Sequence, residues 1–174
     1  MIKLVLFDFD DTLFLKRKRV FIPKLLQMLQ QLRSQHIHIV ILTCNHKAKD
    51  IITSHHLDNF FQNIIYVDAR AEYKSEKIIQ ILFPEYAPSS ILFFDNDPLH
   101  IYDVSKNCDI RSFLVNGYEG LKEDLVLLLV DHQYSNLRVC LQRELHNSST
   151  TEGNYLTDRI VALQNLMELD KIKN

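Results

Sequence analysis

Met1-Ile2-Lys3-Leu4-Val5-Leu6-Phe7-Asp8-Phe9-Asp10-Asp11-Thr12-Leu13 opens the chain, and its reading decides the fold. From Ile2 to Phe7 the run is apolar except at Lys3, as in a strand buried on both faces, and it stops at a group of carboxylates. Such a strand presents Asp8 and Asp10 at its carboxyl end.

Outward from there the same plan recurs. Ile37-His38-Ile39-Val40-Ile41-Leu42 stops at Thr43-Cys44-Asn45, Ile64-Ile65-Tyr66-Val67 is a third short strand, and Ile91-Leu92-Phe93-Phe94 stops at Asp95-Asn96-Asp97. Helical patterns lie between them. Pro23 stands where a first-turn proline is tolerated, and Leu25, Leu26, Leu29 and Leu32 follow at helical spacing up to about Gln35. Further helices are expected over 47–55 and 75–83, and Ser112-Phe113-Leu114-Val115, closed by Asn116-Gly117, adds a fifth strand. Alternation of this kind predicts an α/β, Rossmann-like three-layer sandwich with a central parallel sheet. From Leu121 the pattern is helix only, over 121–129, 137–145 and 156–172, with a polar loop between the last two. The expected organisation is a core over 1–120 and a helical extension over 121–174.

The chain has 174 residues, 47% of them hydrophobic and 24% charged, and a net charge of -2, the profile of a soluble globular domain. That balance gives no general reason to expect nucleic acid or an anionic membrane as partner. Cys44, Cys108 and Cys140 are far apart and form no CxxC or Cys/His spacing, which favours reduced thiols. No apolar run approaches the roughly 18 residues that span a bilayer, and the opening apolar stretch is too short for a secretory signal. A cytoplasmic protein without a membrane partner is expected. The eight histidines show no metal-ligand spacing on a shared face. Lys16-Arg17-Lys18-Arg19 is either a solvated basic run or a means of steering an anionic substrate.

Three strands thus end in polar groups: Asp8/Asp10/Thr12, Thr43 and Asp95/Asp97. In an open parallel sheet, ligands bind at the carboxyl edge, so residues far apart in sequence can converge there. An acidic strand end alone is usually a solvated turn. Asp8-Phe9-Asp10-Asp11-Thr12, however, resembles the DxDx[TV] motif of the haloacid dehalogenase superfamily. Thr43 after a strand, Lys74 at the head of a helix, and Phe93-Phe94-Asp95-Asn96-Asp97 follow in that family's order. The resemblance covers 1 to about 118. Neither gap between motifs has room for a cap domain, so it points to the capless, magnesium-dependent branch.

The resemblance implies a magnesium-dependent phosphatase that hydrolyses a phosphomonoester through an aspartyl-phosphate intermediate. It makes Asp8 the nucleophile, Asp10 the acid and base, and Thr43 and Lys74 the groups that offset phosphoryl charge. Thr12, Thr43, Asn45 and Lys74 are the expected substrate-binding residues. Mg²⁺ would be held by Asp8, the backbone carbonyl of Asp10, and Asp95. Lys77 competes with Lys74 for the lysine role, but placing Lys74 in the first turn leaves Ile78, Ile81 and Leu82 as an apolar face. The last motif departs from the common pattern, with Asn96 and Leu99 where many relatives carry aspartate; Asn96 or Asp97 would then order a metal-bound water. A capless site is open, which favours a phosphorylated protein side chain or nucleic-acid end, with small phosphoesters also open. Two other readings stand beside this one: a catalytically impaired binding or regulatory module, and a phosphotransferase. A receiver domain is disfavoured, because it carries its phosphoacceptor on a later strand.

Overall fold

The computed structural model describes residues 1–132. The helices expected at 137–145 and 156–172, the loop between them and Cys140 lie outside the described residues.

β1 (Leu4–Phe7) is the central strand of the sheet, with all four side chains fully buried. Burying each such side chain is worth about 1.5–3 kcal/mol, which is why the most apolar strand takes the position flanked on both sides. It pairs in parallel with β4 (His38–Thr43) and with β6 (Ile91–Asp95). β5 (Asn63–Tyr66) and β7 (Arg111–Leu114) complete a parallel sheet ordered β5-β4-β1-β6-β7.

From β1 the chain runs to one edge through α1 (Leu25–Ser34) and α2 (Ala48–Ser54). It then crosses to the other half through α3 (Lys74–Lys77), which widens into a π-helical turn over Ile78–Leu82, and reaches β7 through α4 (Pro98–Cys108). Right-handed crossovers in opposite directions put α1 and α2 on one face and α3 and α4 on the other, the expected three-layer sandwich. The direction reverses beside β1, so the switch point of the sheet lies where β1, β4 and β6 end. Register carries the argument further: Phe7 is level with Phe94 and with Ile41, so one residue on, Asp8 is level with Asp95.

Several boundaries differ from the sequence reading. Pro23 lies ahead of α1, because Lys24 adopts a left-handed conformation at φ 57° and the helix begins only at Leu25. Leu26 is exposed and Met28 takes its place in the core. The connection after the first motif is a small hairpin of β2 (Phe14–Leu15) and β3 (Val20–Phe21), held by aromatic packing of Phe9, Phe14 and Phe21. The basic run 16–19 forms its exposed turn. α5 (Glu123–His132) buries Val126, Leu129 and Val130, and the first compact unit extends from Met1 to Asp131. Among the described residues no helix is long and apolar enough to cross a membrane.

Candidate active site

Asp8 follows the last residue of β1, and its backbone N–H donates to the Phe94 carbonyl at 2.8 Å, which keeps it in the sheet. Phe9 turns into the core, so Asp8 and Asp10 both face the cleft. Asp11, at φ 56°, then reverses the chain into the hairpin, a conformation that a short polar side chain tolerates. The cleft holds about 180 Å³ and is lined by Asp8, Asp10, Thr43, Asn45, Asp95 and Asn96, among others.

Beneath it lies a buried charge cluster. The Lys74 ammonium, its side chain wholly inaccessible, donates to Asp8 Oδ1 and to Asp95 Oδ2, each at 2.6 Å. The position of Lys74 is fixed from the other side: Ser75 donates through N and Oγ to Asp103 of α4, at 3.0 and 2.7 Å. Lys77 instead pairs with Glu72 at the surface. Ile78 and Leu82 are buried as the spacing requires, whereas Ile81 is exposed because the helix widens there.

Two carboxylates share this lysine, and burial acts against both. Asp8 is pushed up to about 7, first by burial and then by the charge of Asp95, against the opposing pull of Lys74. Asp95 is pushed the same way by burial, but Lys74 and His100 together hold it below the ordinary carboxylate range. Burial alone would lower the Lys74 ammonium, and its two carboxylate partners raise it instead.

The mouth is organised by the loop after β4. Asn45 donates from Nδ2 to Asp10 Oδ1 at 2.9 Å, and its backbone N–H donates to Thr43 Oγ1 at 3.1 Å. With its oxygen already accepting, the Thr43 hydroxyl proton is free for an acceptor in the cleft. Lys16 reaches Asp10 Oδ2 at 3.4 Å from the hairpin.

The expected residues Asp8, Asp10, Thr43, Asn45 and Asp95 meet around this cleft, with the Lys74 ammonium on its floor. Thr12 does not join them. It is fully buried and is not part of the cleft lining; its hydroxyl donates toward Asp8 Oδ2 at 3.4 Å and its carbonyl accepts from Leu121, so it supports Asp8 from behind. Asp97 caps α4 through Oδ1 by accepting from Leu99 N at 2.8 Å, ahead of Pro98 in the first turn, and lines the cleft as well. Asn96 and Asp97 both line the cleft, so either side chain can order a water there.

One residue was not legible from spacing. His100, in the first turns of α4, places Nδ1 3.1 Å from Asp95 Oδ2; burial lowers its affinity for a proton and the bond to Asp95 more than restores it. The signal was its place behind Asp97-Pro98, which starts a helix directly after the strand that ends at Asp95.

The donor set suits a hard cation. Asp8 and Asp95 bring two negative charges against the one charge of Lys74, and their oxygens are the ligand type that Mg²⁺ takes in ones and twos while keeping its waters. Among the described residues no group of three His, Cys, Asp or Glu side chains forms a cage by itself.

No protein-family model and no curated protein sequence matches the chain. Solved structures do. The core domain of a proposed phosphoglycolate phosphatase from Streptococcus pneumoniae TIGR4 superposes with TM-score 0.57 at 18% identity, over 75% of this chain and 97% of that one. The fold is that of the haloacid dehalogenase-like hydrolases. A hydrolase of that superfamily, subfamily IA, from Geobacter sulfurreducens PCA gives 0.55 at 11% identity over 66% and 90% of the two chains. The L-2-haloacid dehalogenase of Xanthobacter autotrophicus gives 0.52 at 15% over 82% and 88%. Relative to this shared fold, the described residues between Thr43 and Lys74 hold only α2, a short 3₁₀ turn and β5, and the cleft has no cap inserted there.

Proposed function

We propose that the chain is a phosphohydrolase that cleaves a phosphomonoester through Asp8, with Mg²⁺ as its metal. The main support is the Lys74 ammonium bonded at 2.6 Å to both Asp8 and Asp95, under a threonine hydroxyl with a proton to give. An arrangement that holds a carboxylate nucleophile beside buried positive charge suits attack on a phosphoryl group, whose three oxygens carry the charge of the transition state.

An Asp8 oxygen attacks phosphorus, the bond to the leaving oxygen breaks, and Asp10 delivers a proton to that oxygen. Water then attacks the aspartyl-phosphate while Asp10 takes its proton, the bond between Asp8 and phosphorus breaks, and inorganic phosphate departs. Asn45 holds Asp10 in position for both transfers. Thr43 and Lys74 offset charge on the phosphoryl oxygens. Asp8, the Asp10 carbonyl and Asp95 would hold the Mg²⁺, which supplies further positive charge and fixes the phosphoryl orientation. Asp10 favours this reading over displacement at carbon bearing a halogen, since a halide leaves without needing a proton.

The test is phosphate release by the full chain from 4-nitrophenyl phosphate, with and without Mg²⁺, beside Asp8→Asn. Turnover that needs the metal and falls at least about 1,000-fold in the variant supports the proposal. A folded wild-type chain inert toward aryl phosphates, phosphopeptides and phosphate-ended oligonucleotides would overturn it in favour of a non-catalytic binding module.

A further inference from the structure

Three of the large hydrophobic side chains that the described residues leave exposed line a single groove: Tyr73 at 65% exposure, Ile79 at 45% and Leu99 at 66%. Apolar surface gathered in one concavity is a mark of a binding site, whereas such residues scattered singly need no explanation. The groove holds about 850 Å³ between the start of α3 and α4, in the range of pockets that take a small organic molecule.

It adjoins the catalytic cleft. Cys44 and His100 line both, and Lys74, whose backbone segment walls the groove, sends its ammonium to Asp8 and Asp95. A phosphomonoester whose phosphoryl group lies over Asp8 has this concavity beside it for the remainder of the molecule.

The groove's charges narrow the occupant. Glu76 and Asp103 face it against Lys106, since the charge of Glu72 is met by Lys77, that of Lys74 by two carboxylates and that of His100 by Asp95. Glu76 accepts from the Tyr73 backbone N–H, and Asp103 from Ser75, so these acids are built into the wall. A second phosphate, as in a nucleotide or an oligonucleotide end, would meet an acidic surface there.

We propose that this groove is the leaving-group subsite and that it receives an uncharged aromatic group, laid against Tyr73 and Leu99, the Tyr102 ring being covered by the Lys106 ammonium at 5.5 Å. The proposal rests on the phosphomonoester reading above and adds the class of substrate.

Unreactive phosphonates test it apart from leaving-group reactivity. Benzylphosphonate and ethylphosphonate are compared as inhibitors of 4-nitrophenyl phosphate turnover by the full chain, in the wild type, Leu99→Asn and Tyr73→Ala; both side chains are largely exposed, so the fold is kept. Benzylphosphonate is expected to inhibit about tenfold more tightly than ethylphosphonate, and each variant to remove most of that ratio, since partial burial of a ring is worth on the order of 1.4 kcal/mol. Equal inhibition by the two, a ratio unchanged in both variants, or tighter inhibition by a phosphate-ended oligonucleotide than by benzylphosphonate would overturn the proposal. If the wild type turns over nothing, the phosphomonoester reading fails on its own. Calorimetric titration with benzylphosphonate then decides the groove: binding weakened by Leu99→Asn supports it, and no binding refutes it.

Discussion

Replacing Lys74 with Met removes the ammonium that Asp8 and Asp95 share and leaves a methylene stem of similar length. Both carboxyls are buried, at 6% and 0% exposure, and each bond lost measures 2.6 Å. Deleting one partner of such a buried pair costs about 3–5 kcal/mol. Asp8, already pushed up to about 7 by burial and by Asp95, can relieve part of that cost by taking a proton. The sign follows from linkage. A carboxyl whose folded pKa lies above its unfolded value binds its proton more tightly when folded, so its contribution to stability is lost as pH rises through the folded pKa. Urea unfolding of Lys74→Met in metal-free buffer should therefore show a loss of about 3 kcal/mol near neutrality and a larger loss at about pH 9. Adding Asp8→Asn removes one of the two stranded charges, and the double variant should recover about 2 kcal/mol relative to additivity. Lys77→Met, which breaks a surface pair with Glu72, should stay within about 0.5 kcal/mol of wild type. A Lys74→Met protein as stable as wild type, or strict additivity in the double variant, would refute the shared-cation account.

Gly120 sits at φ +76°, and a Cβ there would lie 2.4 Å from Ile22 Cγ2 and 3.1 Å from the Thr12 carbonyl. Gly120→Ala should destabilise the fold by about 1–3 kcal/mol in urea titration, and an unchanged midpoint would contradict the packing of this loop on the hairpin. Asn45→Ala removes the bond that orients Asp10, and kcat for phosphate release should drop roughly 10- to 100-fold with little change in stability. Neutralising Arg17, Lys18 and Arg19 in the exposed hairpin turn should lower kcat/KM severalfold at low salt while leaving kcat unchanged. That difference should fade as the ionic strength passes about 0.15 M, where the screening length is near 8 Å; salt-independent kinetics would remove any steering role for the basic run.

Alternation of short apolar runs with helical patterns was enough to order β1, β4, β5, β6 and β7 and to place Asp8, Thr43 and Asp95 at strand ends, because buried parallel strands and amphipathic helices carry their periodicity in the chain itself. The preference for Lys74 over Lys77 was legible only in part: Ile78 and Leu82 of the apolar face behind it are buried, but Ile81 is exposed where the helix widens. What the sequence could not settle depends on contacts between distant segments. Whether Thr12 touches a substrate or backs Asp8 is decided by Leu121, which bonds its carbonyl from a later loop. Asp97 ends as a cap and His100 as the partner of Asp95 because α4 starts at Pro98, directly after the strand that ends at Asp95. The hairpin after the first motif is two residues per strand, too short for any periodicity to register, and exists because Phe14 and Phe21 find Phe9. Periodicity records which way a residue faces within its own element; which groups meet across elements is fixed only when the layers pack.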